Sequence, residues 1–203
     1  MNSDCSGKHA GMLAASKGQG WPIDTYPDPD HPLQRRVLAT VTGVLDSEPR
    51  SIGVDGCGVP VHALPLSGMA VLYARLLEPD RFGTVGEAAG RAVAAMRAEP
   101  YLVAGRNRVD TSLMVVAPGL VAKSGAEAMA CAAVPDTPPL GVAVKVRDGG
   151  WRGAGPVLLE TLHRLGAIGP EHLERLAAFL RPEVLGGGRP VGELRAHVPL
   201  QRT

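Results

Sequence analysis

The chain has 203 residues, 45% of them hydrophobic and 20% charged, and a formal net charge of +1. This is the composition of a globular protein with a real core, and it excludes a disordered chain and a polybasic binder of nucleic acid or anionic membrane. Aromatic residues make up only 3% of the chain, which excludes a stacking platform for single strands and leaves Ala, Val and Leu to fill the interior.

In chain order, residues 5–17 read as a first helix, ended by Gly18. Gly18, Gly20, Pro22, Pro27 and Pro29 mark residues 18–31 as an extended loop. Pro32 opens a second helix, with Leu33, Val37, Leu38, Val41, Val44 and Leu45 on one face. Residues 50–65, punctuated by Gly and Pro, predict a short strand, a tight turn and an irregular crossing. Helices are expected over 66–78 and 84–98, the second capped by Thr84, and a further helix over 109–117. Leu120–Lys123, Met129–Val134 and Gly141–Val146 read as an antiparallel meander, with Ser124-Gly125 as its first turn. Amphipathic helices follow at 155–165 and 170–180, then a flexible break at Gly186-Gly187-Gly188 and an edge strand over Glu193–Leu200. The order of elements predicts one α/β domain over 1–203, an antiparallel sheet flanked by helices, with 186–203 as a tail. No apolar run reaches membrane-spanning length, and Met1–Asp4 lacks the basic start and apolar run of a signal peptide. Three cysteines without framework spacing point to a reducing cytoplasm.

The richest stretch for chemistry is Cys5-Ser6-Gly7-Lys8-His9, at the mouth of the first helix. Unpaired N–H groups and the helix dipole favour a thiolate there, the form that attacks or binds metal. Cys5 and Lys8 share a helix face. Cys57 sits between Gly56 and Gly58, where the backbone can turn its sulfur inward. Two thiolates and a third donor can hold zinc, although a free cysteine is most often a small buried hydrophobe, and Cys131 reads as core. Lys8 as a ligand must first lose a proton, at a cost of about 4–5 kcal/mol from its usual pKa of about 10.4. Asp55 fits either a turn aspartate or a group that orients a ligand or a substrate amine. His9 can help to bind substrate or simply cap. Lys123-Ser124-Gly125 resembles the Lys-Ser/Thr-Gly element of serine β-lactamase-like enzymes, but none of the eight serines has the lysine three residues on that would complete a Ser-x-x-Lys pair.

Three motifs together resemble the asparaginase II family, the thermolabile rhizobial-type class. They are Cys5-Ser6-Gly7-Lys8-His9-Ala10-Gly11-Met12-Leu13, Asp30-His31-Pro32-Leu33-Gln34 and Val54-Asp55-Gly56-Cys57-Gly58-Val59-Pro60. Lys123-Ser124-Gly125-Ala126-Glu127 and Gly141–Val146 agree with it, and Asp4 stands where the family usually has asparagine. The resemblance implies a serine β-lactamase-like fold, hydrolysis of L-asparagine to aspartate and ammonia, and a homodimer. It implies a zinc site at Cys5, Lys8 and Cys57, Lys123 as the lysine of one catalytic Ser–Lys pair, and His9 and Asp55 beside the substrate. It covers residues 4 to about 165, and both family serines fall before its first motif. The expectation is therefore an enzyme whose N-terminal part is missing, with apolar surface exposed on the sheet and around residues 5–15. By itself such a chain releases no ammonia. Two alternatives are a non-catalytic zinc-binding remnant that pairs with another polypeptide, and a β-lactamase-like enzyme with another amide substrate.

Overall fold

The computed structural model describes residues 5–201; Asp4, at the head of the first motif, lies outside them. The chain divides into two compact units, Met1–Pro65 and Leu66–Thr203.

The first unit begins with helix α1, Ser6–Gly18. The loop that follows leads into helix α2, Pro32–Leu45. His31 is the pivot of this entry. Its Nδ1 accepts from the Leu33 N–H at 3.1 Å, capping α2, while Nε2 donates to the Pro22 carbonyl at 2.9 Å. Gln34 is buried and donates to the Tyr26 carbonyl at 2.8 Å, so the Gly/Pro-rich loop is tied down by side chains rather than by an apolar core. Asp46, in the left-handed region at φ 55°, ends α2. Strands β1, Ser51–Val54, and β2, Pro60–Ala63, then form an antiparallel hairpin in which Val54 pairs with Pro60. All four residues of β1 are exposed, including Ile52 and Val54.

In the second unit helix α3 spans Leu66–Arg75 and helix α4 spans Gly86–Ala98. Thr84 is not the cap of α4: a 3-10 segment, Pro79–Val85, occupies that stretch, and Val85 stands at the N-cap. The reason is packing, because a Cβ on Gly86 would lie 2.4 Å from the Pro79 carbonyl oxygen, so the chain turns tightly there on a glycine. Helix α5, Pro100–Ala104, was not legible in the sequence, and helix α6 covers Val109–Val116. Strands β3, Val121–Gly125, β4, Met129–Val134, and β5, Leu140–Lys145, form the expected antiparallel meander in the order β3-β4-β5. Its first turn starts two residues later than predicted. Ser124 and Gly125 still pair with Ala130 and Met129, and Glu127 and Ala128 turn the chain with positive φ.

Helix α7, Ala154–Arg164, crosses one face of this sheet. There Ala122, Ala130, Ala132, Val142 and Val144 pack with Leu158, Leu159 and Leu162 in the main core. The alternate residues Val121 and Ala133 face Tyr73, Leu76, Val93 and Met96 on the other side. Small residues let helices sit close: a Cβ on Gly141 would fall 1.7 Å from the Ala70 carbonyl oxygen of α3. Burial of both faces explains why β4 reads as a nearly continuous apolar run.

The predicted helix 170–180 is broken at Leu176 into α8, Pro170–Arg175, and α9, Ala177–Leu180. The expected edge strand over Glu193–Leu200 is absent. Strands β6, Glu183–Gly186, and β7, Arg189–Glu193, pair instead, and Gly187 and Gly188 form the two-residue turn between them. Both glycines have positive φ, 57° and 75°, as a tight hairpin turn requires, so the triple glycine is a turn rather than a break. Among the described residues no helix is long and apolar enough to cross a membrane.

Candidate metal centre and catalytic lysine

Cys5 is the N-cap residue of α1, and Lys8 follows one helical turn later on the same face. The turn between β1 and β2 supplies the other groups. The Asp55 N–H donates to the Val59 carbonyl and the Gly58 N–H to the Asp55 carbonyl, both at 2.9 Å, and Gly58 takes φ 90°. Asp55 Oδ1 accepts from the Gly56 N–H at 2.8 Å, which fixes the carboxylate. Its Oδ2 accepts from the Cys57 thiol at 3.4 Å and lies 3.5 Å from Lys8 Nζ, and the lysine also donates to Cys57 Sγ at 3.4 Å.

The donor atoms of Cys5, Asp55 and Cys57 all lie within 4.8 Å of one another. Tetrahedral zinc with Zn–S of about 2.3 Å spaces its sulfur ligands roughly 3.8 Å apart, so two thiols and a carboxylate at this spacing fit that ion with little movement. Lys8 is a fourth candidate donor. Burial works against its charge, but the hydrogen bond to Cys57 and the charges of Cys5, Cys57 and Asp55 outweigh that and raise its pKa. Without metal the amine is therefore an ammonium and a counter-ion. The sequence reading treats Asp55 as a turn aspartate or as a group that orients a ligand or a substrate amine; the geometry also brings its carboxylate within ligand spacing of both sulfurs. The Cys57 thiol and then the Gly56 N–H hold the Asp55 carboxyl below its usual range. The Cys5 thiol is pushed up, first by its hydrogen bond with Cys57 and then by burial.

His9 meets Tyr26, with Nδ1 2.5 Å from the phenol oxygen and the two rings edge to face. Cys131 is core, as expected, and burial pushes its thiol up to about 12.

In the second unit Lys123 is exposed on β3, and its Nζ donates to the Ser124 carbonyl at 2.6 Å. Its own carbonyl accepts from the Tyr73 hydroxyl at 3.3 Å. Ser124 alternates to the opposite face, where its N–H and hydroxyl both donate to Asp110 Oδ2, at 2.8 and 2.6 Å. Asp110 is completely buried in the first turn of α6. The sequence reading gave Asp110 no role. The available signal was an acid just inside a helix start, where carboxylates are favoured, followed by apolar residues.

A family model described as L-asparaginase II matches residues 1–196. No curated protein matches the chain.

Proposed function

Since the chain belongs to the L-asparaginase II family, we propose that it acts on a side-chain amide, that of L-asparagine, as an amidohydrolase with a zinc site. The convergence of Cys5, Asp55, Cys57 and Lys8 carries this reading. Cys5 and Cys57 would hold the ion, with Lys8 or Asp55 as the third protein ligand. A bound zinc supplies a Lewis acid for an amide or carboxylate oxygen. If Lys8 becomes the ligand, its proton must leave and Asp55 keeps its negative charge free for a substrate ammonium. If Asp55 becomes the ligand, Lys8 remains a cation that can receive the substrate carboxylate. His9, held by Tyr26, is a further polar contact for substrate.

Hydrolysis adds water across the amide, breaks the C–N bond and releases ammonia with a new carboxylate. Lys123 would accept and return the proton of the attacking hydroxyl, and its exchangeable contact to the Ser124 carbonyl leaves Nζ available for this. No serine of the chain has a lysine three residues on. That observation favours the second reading, a zinc-binding protein without turnover of its own.

Binding and turnover separate the two. The purified chain should carry about one zinc, lost in Cys57→Ser, and the zinc form should bind L-asparagine in calorimetry. Ammonia release above that of Lys123→Ala is the result expected of the amidohydrolase, and release no greater than that control is the result expected of the second reading. A zinc-loaded chain that fails to bind asparagine ends the amidohydrolase reading. Turnover above the Lys123→Ala control shows that no Ser-x-x-Lys pair is needed.

A further inference from the structure

On the face of the sheet opposite the Lys123 side chain, a cavity of about 240 Å³ opens between α6, α7 and α9. Its floor is buried and includes Ser124 and Pro156, while Arg108, Trp151 and Arg152 stand exposed at its rim. Both donors of Ser124, the N–H and the hydroxyl, are committed to Asp110. Ser124 can therefore offer a ligand only acceptors. The walls are apolar, formed by Trp151, Phe179 and Pro182. At the rim Arg152 is paired with Asp148. Arg108 lies 5.2 Å over the Trp151 ring, and among the described residues no ion pair joins it to a carboxylate. The cavity thus presents one uncompensated cation at the mouth, flat apolar walls and acceptors at the base.

We propose that this cavity is a second small-molecule site, for an aromatic carboxylate that carries a hydroxyl or amide donor at its far end. The carboxylate meets Arg108, the ring lies between Trp151 and Phe179, and the donor reaches Ser124. A charge-assisted contact to a guanidinium is the strongest of the three, so the carboxylate dominates affinity. The site uses neither the sulfur cluster nor the Lys123 amine, and it stands independently of the amidohydrolase reading.

The chain has two tryptophans, so a Trp21→Phe variant leaves Trp151 as the sole reporter of the cavity. The probe is 4-hydroxyphenylacetate, compared with phenylacetate, which lacks the donor, and 4-methylphenol, which lacks the carboxylate. The expected result is a saturable change in Trp151 emission. Affinity should fall a few-fold for phenylacetate and about tenfold or more for 4-methylphenol. Arg108→Ala should weaken 4-hydroxyphenylacetate by about tenfold and leave 4-methylphenol unchanged, and Arg108→Lys should restore part of the loss. Arg108 is exposed, so these variants keep the fold, which circular dichroism verifies. Comparison of phenylacetate with its hydroxylated form tests Ser124 without mutation. Binding should persist in Cys57→Ser and Lys123→Ala, even if asparagine binding is lost or never present. The proposal is overturned if 4-hydroxyphenylacetate gives no saturable signal at millimolar concentration, or if Arg108→Ala binds it as tightly as the parent chain.

Discussion

Residues 5–65 and residues 66–201 are held together by different physics. In the first unit the buried residues are Leu33, Val44 and Val59 on the apolar side and Ser16, His31 and Gln34 on the polar side. In the second, Leu113, Met114, Leu158, Leu159 and Leu162 are fully buried over an alanine-rich sheet, and the only buried polar side chains among the described residues are Asp110 and Ser124, bonded to each other. A segment with so little apolar burial needs other constraints, and small folds commonly find them in a metal site. The first unit concentrates thiols, an amine and a carboxylate at the junction of a helix N-terminus and a hairpin turn, where a bound ion would join two segments about fifty residues apart in sequence. Chemistry and stability would then share residues in one unit, whereas in the other they are largely separate.

The sharpest way to break this contrast is removal of metal. Chelation should abolish hydrogen-exchange protection in α1, α2 and the β1–β2 hairpin and leave β3–β5 protected, as followed by peptide-resolved mass spectrometry. Uniform loss across the chain would remove the distinction. Thiol labelling gives the next largest effect. A pKa of about 12 against an ordinary 9.0 leaves Cys131 about a thousandfold less thiolate, so alkylation at pH 8 should mark Cys5 and Cys57 long before Cys131. Zinc should protect the first two and leave Cys131 as it is.

Core truncation probes the second unit. Leu159→Ala should cost about 2–5 kcal/mol in denaturant unfolding, because Leu159 is completely buried against the sheet. Gln34→Ala in the first unit should cost less, about 1–3 kcal/mol, by leaving the Tyr26 carbonyl without its partner. If the two values are reversed, the polar anchoring of the first unit has been underrated. The smallest effect is on pH. The Gly150 N–H, and then Arg152, hold the exposed Asp148 carboxyl below its usual range. Its stabilising contribution is complete above the unfolded pKa of 3.8 and is lost as pH falls through the lower folded value. Asp148→Asn should therefore flatten the acid-side slope of stability, with a small loss in melting temperature at pH 7 that disappears once the pH falls below the folded pKa.

Much of this was legible in the sequence. Helix periodicity and punctuation located α1, α2, α6, α7 and the three-stranded meander, since apolar spacing and turn residues are written locally in the chain. Cys5, Lys8 and Cys57 stood out by residue type and glycine context. The misplacements fall where a local rule met a tertiary contact. Thr84 is a good cap residue, but the close approach of Gly86 to Pro79 moved the helix start. The helix 170–180 is continuous in pattern and breaks at Leu176, which is completely buried. Gly186–Gly188 carries no side chain to show which strands it joins.

By itself the sequence determined which residues are available for chemistry and which elements carry them, because periodicity and turn residues act over a few positions. Only the tertiary structure decided which groups meet. It put Asp55 within reach of both Cys57 and Lys8, made Asp110 the partner of Ser124, and turned His9 to Tyr26. Such pairings depend on how turns and helix ends are oriented in space. No local pattern encodes that orientation, since a rotation of one hairpin changes every partner while leaving each propensity unchanged.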